Sequence, residues 1–375
     1  MAGYIMTLDS LESLRNCIQA GTYSTNMSEP SGGNWKTHHE GTFADFLSMK
    51  AGDNIYFFIK RKIYGIGVLT EVSFDCKFLN YEGADIPNAI SDEEYMEKVP
   101  LLPNANANNR CFCAFKPAPF YFENGIDMDD ALSSNPSAFK MLRAMWKVSF
   151  IKIDDVENKA LIDIILKRNE ERLETRQGVF DFSPEVHEDI FNRASSVSNR
   201  LTAYNILLSA SQGSLVRHEM AIEAALCEKL ISNNTTPFGK WDYISHQVVA
   251  SPFKAIDYMD KMDVFGYRFI EGFSTISKYL VIEIKKDAAN IDVIEQIMKY
   301  VDWIQKEYAY GDYSMIEAYV VAADFSEEII EKRNRECVRY FTKGFRPSES
   351  CIWNSLRLIK YEYNQETGEL QFEEV

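Results

Sequence analysis

The stretch Tyr279-Leu-Val-Ile-Glu-Ile-Lys-Lys286 constrains this chain more than any other. Its apolar residues mark a buried strand, yet Glu283 and Lys285 interrupt it two residues apart. Side chains alternate faces along a strand, so Glu283 and Lys285 share one face while Ile282 and Ile284 take the other. Opposite charges on a core strand are costly unless they are paired or put to use. Taken alone, the two read as an internal ion pair. Upstream, Lys261-Met-Asp-Val-Phe-Gly-Tyr267 reads as a short strand that puts Asp263 on the face of Lys261 and Phe265. Asp263 precedes Glu283 by twenty residues, room for a hairpin whose arms lie side by side. Two carboxylates and a lysine on one sheet face make a divalent-cation site with a cationic helper. Mg²⁺ takes hard oxygen ligands and keeps several waters, so two carboxylates and a backbone carbonyl suffice. Such an ion polarises a phosphate oxygen and acidifies a bound water. Lys285 would orient that water or stabilise the charge that develops.

The flanking segments extend this pattern. A helix carrying Glu219-Met-Ala-Ile-Glu-Ala-Ala-Leu226 precedes it, with Ile222, Leu226 and Leu230 as the buried stripe. A helix after the charged strand carries Gln296-Ile-Met-Lys-Tyr300, whose i, i+4 spacing puts Gln296 and Tyr300 on one face. Met315–Ala323 reads as the next core strand, and a further helix starts near Ser326. In this αβββαβ order, Asp263 followed by Glu283-x-Lys285 resembles the signature of the PD-(D/E)XK nuclease superfamily, with the QxxxY motif of its RecB-like and NucS-like members. The resemblance covers about residues 213–360. It implies a restriction-endonuclease-like fold, with Asp263 and Glu283 as metal ligands and Lys285, Gln296 and Tyr300 as further catalytic residues. It also implies an acidic ligand on the first helix, for which Glu219 matches best and Glu223 second. Met262 stands where the superfamily often has Pro.

The first half is different in kind. Residues to about 125 read as β-rich, with Asn54–Ile59 and Ile63–Leu69 joined by the basic turn Lys60-Arg61-Lys62 as a hairpin. Gly65 and Gly67 share a strand face and leave room for another backbone or a ligand. Residues 82–110 read as loop. A helix is expected around 137–143, a strand over 146–153 and a helix from Asp154-Asp155 to about Arg176. Ser183-Pro184 signals a helix start, with helical pattern to about Ser209. The run from Phe43 through Met49-x-x-Gly52-Asp53 into the aromatic strand is similar to the PUA-like group that includes EVE and YTH domains. The resemblance implies a small β-barrel that holds a modified or flipped base, with Trp35, Asn34, Tyr23 and Asn26 as candidate pocket residues. Trp35 reads equally as core. Lys60, Arg61 and Lys62 could touch phosphate or be an ordinary solvated turn.

The expected organisation is therefore α/β and α+β. A PUA-like β-barrel with helices spans 1–176, a helical connector 177–212, and a restriction-endonuclease-like αβββαβ domain 213–375. The net charge of -16 argues against casual binding to a polyanion. It leaves room for a local groove whose carboxylates a metal neutralises. Seven scattered cysteines without a CxxC pair and five histidines without metal spacing give no zinc motif. Asp257 and Asp260 read as loop solvation, and His218 as a surface or capping residue. No GxSxG, Walker loop or GxGxxG occurs. With no signal peptide and no long apolar run, a cytoplasmic protein is expected. Together these features predict a Mg²⁺- or Mn²⁺-dependent DNA endonuclease, working as a homodimer in restriction or anti-phage defence. Repair of mismatched or branched DNA, a non-catalytic nucleic-acid-binding role and RNA as the substrate stay open.

Overall fold

The computed structural model describes residues 1–375 other than 29–31, 103–104, 146–149, 233–236 and 251–258. The chain forms two compact units, Met1–Leu201 and Thr202–Val375. The stretch expected as a connector, 177–212, divides between them.

The first unit begins with β1 (Gly3–Thr7), α1 (Leu11–Ala20), β2 (Thr22–Ser24), α2 (Thr37–Leu47), β3 (Asn54–Ile59) and β4 (Lys62–Leu69). β5 (Lys77–Leu79), α3 (Asp92–Glu97), β6 (Cys111–Pro117), β7 (Ile126–Asp127), α4 (Met128–Ser134) and α5 (Met141–Met145) follow. It closes with β8 (Phe150–Ile153), α6 (Asp155–Arg168), α7 (Glu170–Thr175) and α8 (Glu185–Arg193). The sheet runs β2-β6-β4-β3-β1-β8, with β5 on β6 and β7 on β4. β1 and β3 are parallel and the other pairs antiparallel. The end strands β2 and β8 share no ladder in this order. They are nevertheless drawn together, because Tyr23 on β2 packs edge-on against Phe150 of β8 at 5.8 Å. Among the described residues the sheet is thus a curled half-barrel without a ladder between β2 and β8.

Local chemistry accounts for these elements. Lys60 and Arg61 have φ of 46° and 67°, so the β3–β4 turn uses two consecutive left-handed residues, as tight hairpins demand. A Cβ on Gly67 would lie 2.1 Å from the Tyr121 hydroxyl, and one on Gly65 2.7 Å from the Tyr56 ring. Tyrosine rings therefore fill the room that the sequence suggested for a ligand. The 82–110 loop contains α3, capped by Ser91, whose Oγ accepts from the Glu94 N–H at 3.2 Å. The helical pattern expected from Ser183 to Ser209 is broken between α8 and the next helix.

The second unit runs α9 (Tyr204–Ala210), β9 (Ser211–Gln212), β10 (Leu215–Val216), α10 (Glu219–Ile231), β11 (Tyr243–Val249), β12 (Lys261–Phe269) and β13 (Ile276–Ile284). Then come α11 (Val293–Glu307), β14 (Ile316–Ala322), α12 (Glu327–Glu336), β15 (Arg339–Lys343), β16 (Glu349–Trp353), β17 (Leu356–Asn364) and β18 (Glu369–Glu374). From α10 to β14 this is the αβββαβ order read from the sequence. Its sheet is β11-β12-β13-β14-β17-β18. β11 to β13 form an antiparallel meander, β13, β14 and β17 are parallel, and β18 returns antiparallel. Central parallel strands are covered on both faces and need near-continuous apolar runs. β13 meets that need with Leu280, Val281, Ile282 and Ile284 fully buried. α10 packs on β11, β12 and β13, and α11 packs on β13 and β14.

Candidate active site

The charged residues of β13 sit in this sheet with neighbours on both sides. Val264 of β12 pairs with Ile282 of β13, a register that sets Asp263 beside Glu283. The Asp263 Oδ2 accepts from the Ile284 N–H at 2.7 Å. Glu283 is 1% exposed, and its Oε1 accepts from the Lys285 Nζ at 2.6 Å. Its other oxygen, Oε2, is buried with no hydrogen-bond partner. The Lys285 backbone N–H is tied to Val321 O of β14 at 2.8 Å, which fixes the end of the strand. The ion pair and the alternation expected from the sequence are both present.

The electrostatics follow from crowding. Burial, then the charges of Glu283 and Glu223, push the Asp263 carboxyl well above the usual carboxylate range, against the pull of the Ile284 N–H and Lys285. Burial raises Glu283 to about 7; Lys285 opposes the rise, and Glu219 and Glu223 add to it. For Lys285, burial favours the neutral amine, but Glu283, Asp263 and Glu219 outweigh it and hold the ammonium above its ordinary value. A cluster of this kind stores a demand for positive charge that one lysine meets only in part.

Both helix glutamates influence the cluster, in different ways. Glu223 is buried, and both its oxygens accept from the Gln247 Nε2 at 3.0 Å. The same nitrogen lies 3.4 Å from Asp263 Oδ1. The His246 Nδ1 stands 3.6 Å from Glu223 Oε2. Glu219 is only partly buried, and its Oε1 accepts from the Lys286 N–H at 3.4 Å. Glu219, ranked first from the sequence, is thus at the rim, and Glu223 is the one joined to Asp263. On α11, the Gln296 Nε2 donates to the Tyr300 hydroxyl at 3.2 Å. Burial raises the Tyr300 hydroxyl, with Glu283, Asp263 and Asp260 contributing, so this tyrosine feels the cluster. His218 is at the N-cap position of α10 without a side-chain capping bond. Asp257 lies outside the described residues.

Among the described residues no group of three or more His, Cys, Asp or Glu side chains converges in a metal-binding arrangement. The oxygens are instead engaged by Lys285 on one side and by the Gln247 amide on the other. The donor chemistry nevertheless fits a hard divalent cation. Asp263, Glu283, Glu223 and Glu219 are all oxygen donors. The orphaned Glu283 Oε2 is a buried acceptor that a cation would satisfy. Gln247 and His246 were not singled out from the sequence. The available signal was a polar Ser-His-Gln interruption within the buried strand β11, the same kind of anomaly that exposed Glu283 and Lys285.

The first unit separates the four residues proposed as a base pocket. Trp35 is 2% exposed, its indole N–H donates to Asp85 O at 2.7 Å, and the Arg110 guanidinium covers its ring at 4.9 Å. Trp35 is core. The Asn34 amide folds onto Gly32 O at 3.0 Å on the surface. Tyr23 is buried to the same degree as Trp35, its ring packed against Phe57 and Phe150, and with the exposed Asn26 it borders a cavity of ≈ 790 Å³ that Asp9, Asn16, Gln19 and Asn109 also line. No Lys or Arg is among the described residues lining it. Arg61 at the hairpin turn is paired with Asp129 at 2.7 Å. The seven cysteines are free, and all but Cys17 and Cys351 are buried. Among the described residues no helix is long and apolar enough to cross a membrane.

No protein-family model matches this chain. No curated protein matches it either. Among solved structures it is similar to a repair endonuclease from Pyrococcus abyssi at 21% sequence identity, over 25% of this chain and 34% of that one, with a TM-score of 0.18. The match spans about a third of that enzyme.

Proposed function

We propose that this protein is a metal-dependent DNA endonuclease whose second unit hydrolyses the phosphodiester bond. The observation that carries the reading is Glu283, paired with Lys285 through one oxygen and left with a buried, unpartnered second oxygen beside Asp263. Asp263, Glu283 and a helix glutamate would hold Mg²⁺ or Mn²⁺, which when bound polarises phosphate and lowers the pKa of a coordinated water. Lys285, held protonated by its neighbours, supplies a fixed positive charge for the developing phosphorane oxygens or orients the attacking water. Gln296 and Tyr300 present a polar pair on α11, and the Tyr300 hydroxyl stays neutral and able to donate.

In the first unit, the cavity holding Tyr23 and Asn26 supports a reader role better than Trp35 does. A site lined by Asn16, Asn26 and Asn109 and without Lys or Arg suits a neutral heterocycle bound by amides, not a phosphate. A modified or flipped base is such a group, which suits restriction or anti-phage defence. Action by a homodimer is part of this proposal, since cutting two strands takes two sites. The test is a cleavage panel of unmodified, base-modified, mismatched and single-stranded DNA, with matched RNA, in Mg²⁺ and in chelator. Cleavage of at least one DNA in Mg²⁺ alone is expected. Cleavage that persists in chelator, or none on any substrate, would overturn the proposal.

A further inference from the structure

The strand β11 contains a backbone anomaly at the centre of the site. Gln247 has φ of +52° in the middle of a strand. The ladder on either side is in regular register, with His246 opposite Val264 and Val248 opposite Met262, so no inserted residue explains it. A left-handed conformation is uncommon for a residue with a side chain and persists where surrounding structure holds it. The side chain that leaves this backbone reaches both oxygens of Glu223 with its Nε2 at 3.0 Å and Asp263 Oδ1 at 3.4 Å. A carboxylate only accepts, and both contacts to Glu223 are made by the nitrogen end of the amide.

We propose that Gln247 is a positioning residue that sets the metal affinity of the cluster by tying the helix carboxylate Glu223 to the strand carboxylate Asp263. The proposal rests on the nuclease reading above. The physical logic is a contrast with Lys285. A lysine that bridges carboxylates neutralises them and competes with a cation. An amide brings them together through polarised N–H bonds without adding a positive charge of its own. Two acidic groups on different elements, α10 and β12, are thereby kept within reach of one ion before it arrives, so less ordering is left to be done on binding. The strained backbone is what aims the amide between them.

The test separates this role from plain stability because the backbone and the side chain make opposite demands. Gln247→Gly accepts the positive φ without steric cost and removes the amide. Gln247→Asn tolerates the same backbone but is shorter by one methylene. Mn²⁺ binding to the full-length protein is measured by calorimetry, alongside the melting temperature in chelator. The expected result for Gln247→Gly is a metal-free melting temperature no lower than wild type, with Mn²⁺ affinity weakened at least tenfold. Gln247→Asn carries the same test should the glycine variant fail to fold. Mn²⁺ affinity within twofold of wild type overturns the proposal, and so does a loss that is matched by a lower metal-free melting temperature. A wild-type protein that binds no Mn²⁺ removes the nuclease reading itself, and this one with it.

Discussion

Glu283 and Lys285 meet at 2.6 Å, yet the pairing satisfies only one carboxylate oxygen and leaves the other buried without a partner. The cost of that half-satisfied charge is what makes the site informative. An ion pair there for stability alone would be expected to close both oxygens.

The first prediction concerns pH. The Glu283 carboxyl is raised from 4.5 to about 7, so between those values the folded protein holds a proton that the unfolded chain releases. The folded state then binds more protons, and stability falls as pH rises through the window. Asp263, also pushed well above the usual carboxylate range by burial, adds to the fall. Metal-free protein should therefore lose about 1–3 kcal/mol between pH 5 and pH 7. Mg²⁺ should restore progressively more of it as pH rises. Thermal melts across this range with and without Mg²⁺ check both trends, and Asp263→Asn should flatten the metal-free one.

Lys285 and Asp263 should fail differently. Lys285→Ala removes a cation, so it should lower cleavage by about 10²–10³ while Mn²⁺ still raises the melting temperature. Asp263→Ala should abolish both effects. Parallel measurement of cleavage rate and Mn²⁺-induced melting shift on the two variants decides the assignment.

The pair on α11 gives a milder expectation. Tyr300→Phe removes the hydroxyl that accepts from Gln296 at 3.2 Å, at a stability cost of about 0.5–1.5 kcal/mol. Cleavage should fall about tenfold, with the Mg²⁺ requirement unchanged. Urea unfolding and a Mg²⁺ titration of cleavage measure the two quantities.

In the first unit, Trp35 and Asn26 should part company. Trp35→Ala empties a core position and removes the bond to Asp85 O, a loss of about 3–5 kcal/mol. Asn26→Ala lines a cavity and should leave stability within about 0.5 kcal/mol. If the cavity reads the substrate, Asn26→Ala should instead change the preference among modified and unmodified DNA. Urea unfolding and the cleavage panel distinguish the two substitutions.

What the sequence made legible was charge placed where charge does not belong. Glu283 and Lys285 on an apolar strand, with Asp263 at hairpin distance, marked out the candidate cluster, and the register of β12 and β13 sets Asp263 beside Glu283. The helix ligand was harder, because Glu219 and Glu223 are four apart and share a face; burial and the reach of Gln247 separate them. Gln247 itself was hidden, since a neutral polar residue raises no alarm and a positive φ leaves no mark in the amino-acid order. Trp35 stayed open between the two because a large aromatic ring suits a pocket and a core equally, and the choice lay in Asp85 and Arg110, fifty or more residues away. The pairing order of the first sheet is likewise a matter of which strands exchange hydrogen bonds, which the alternation within each strand cannot report.

On the function proposed above, Asp263 belongs to a metal-dependent cutting site. The most direct measurement is Mg²⁺-dependent cleavage of the best DNA substrate by wild type and by Asp263→Ala, each confirmed folded at the assay temperature. The account predicts cleavage by wild type and none by the variant. Equal cleavage by the two proteins would contradict it.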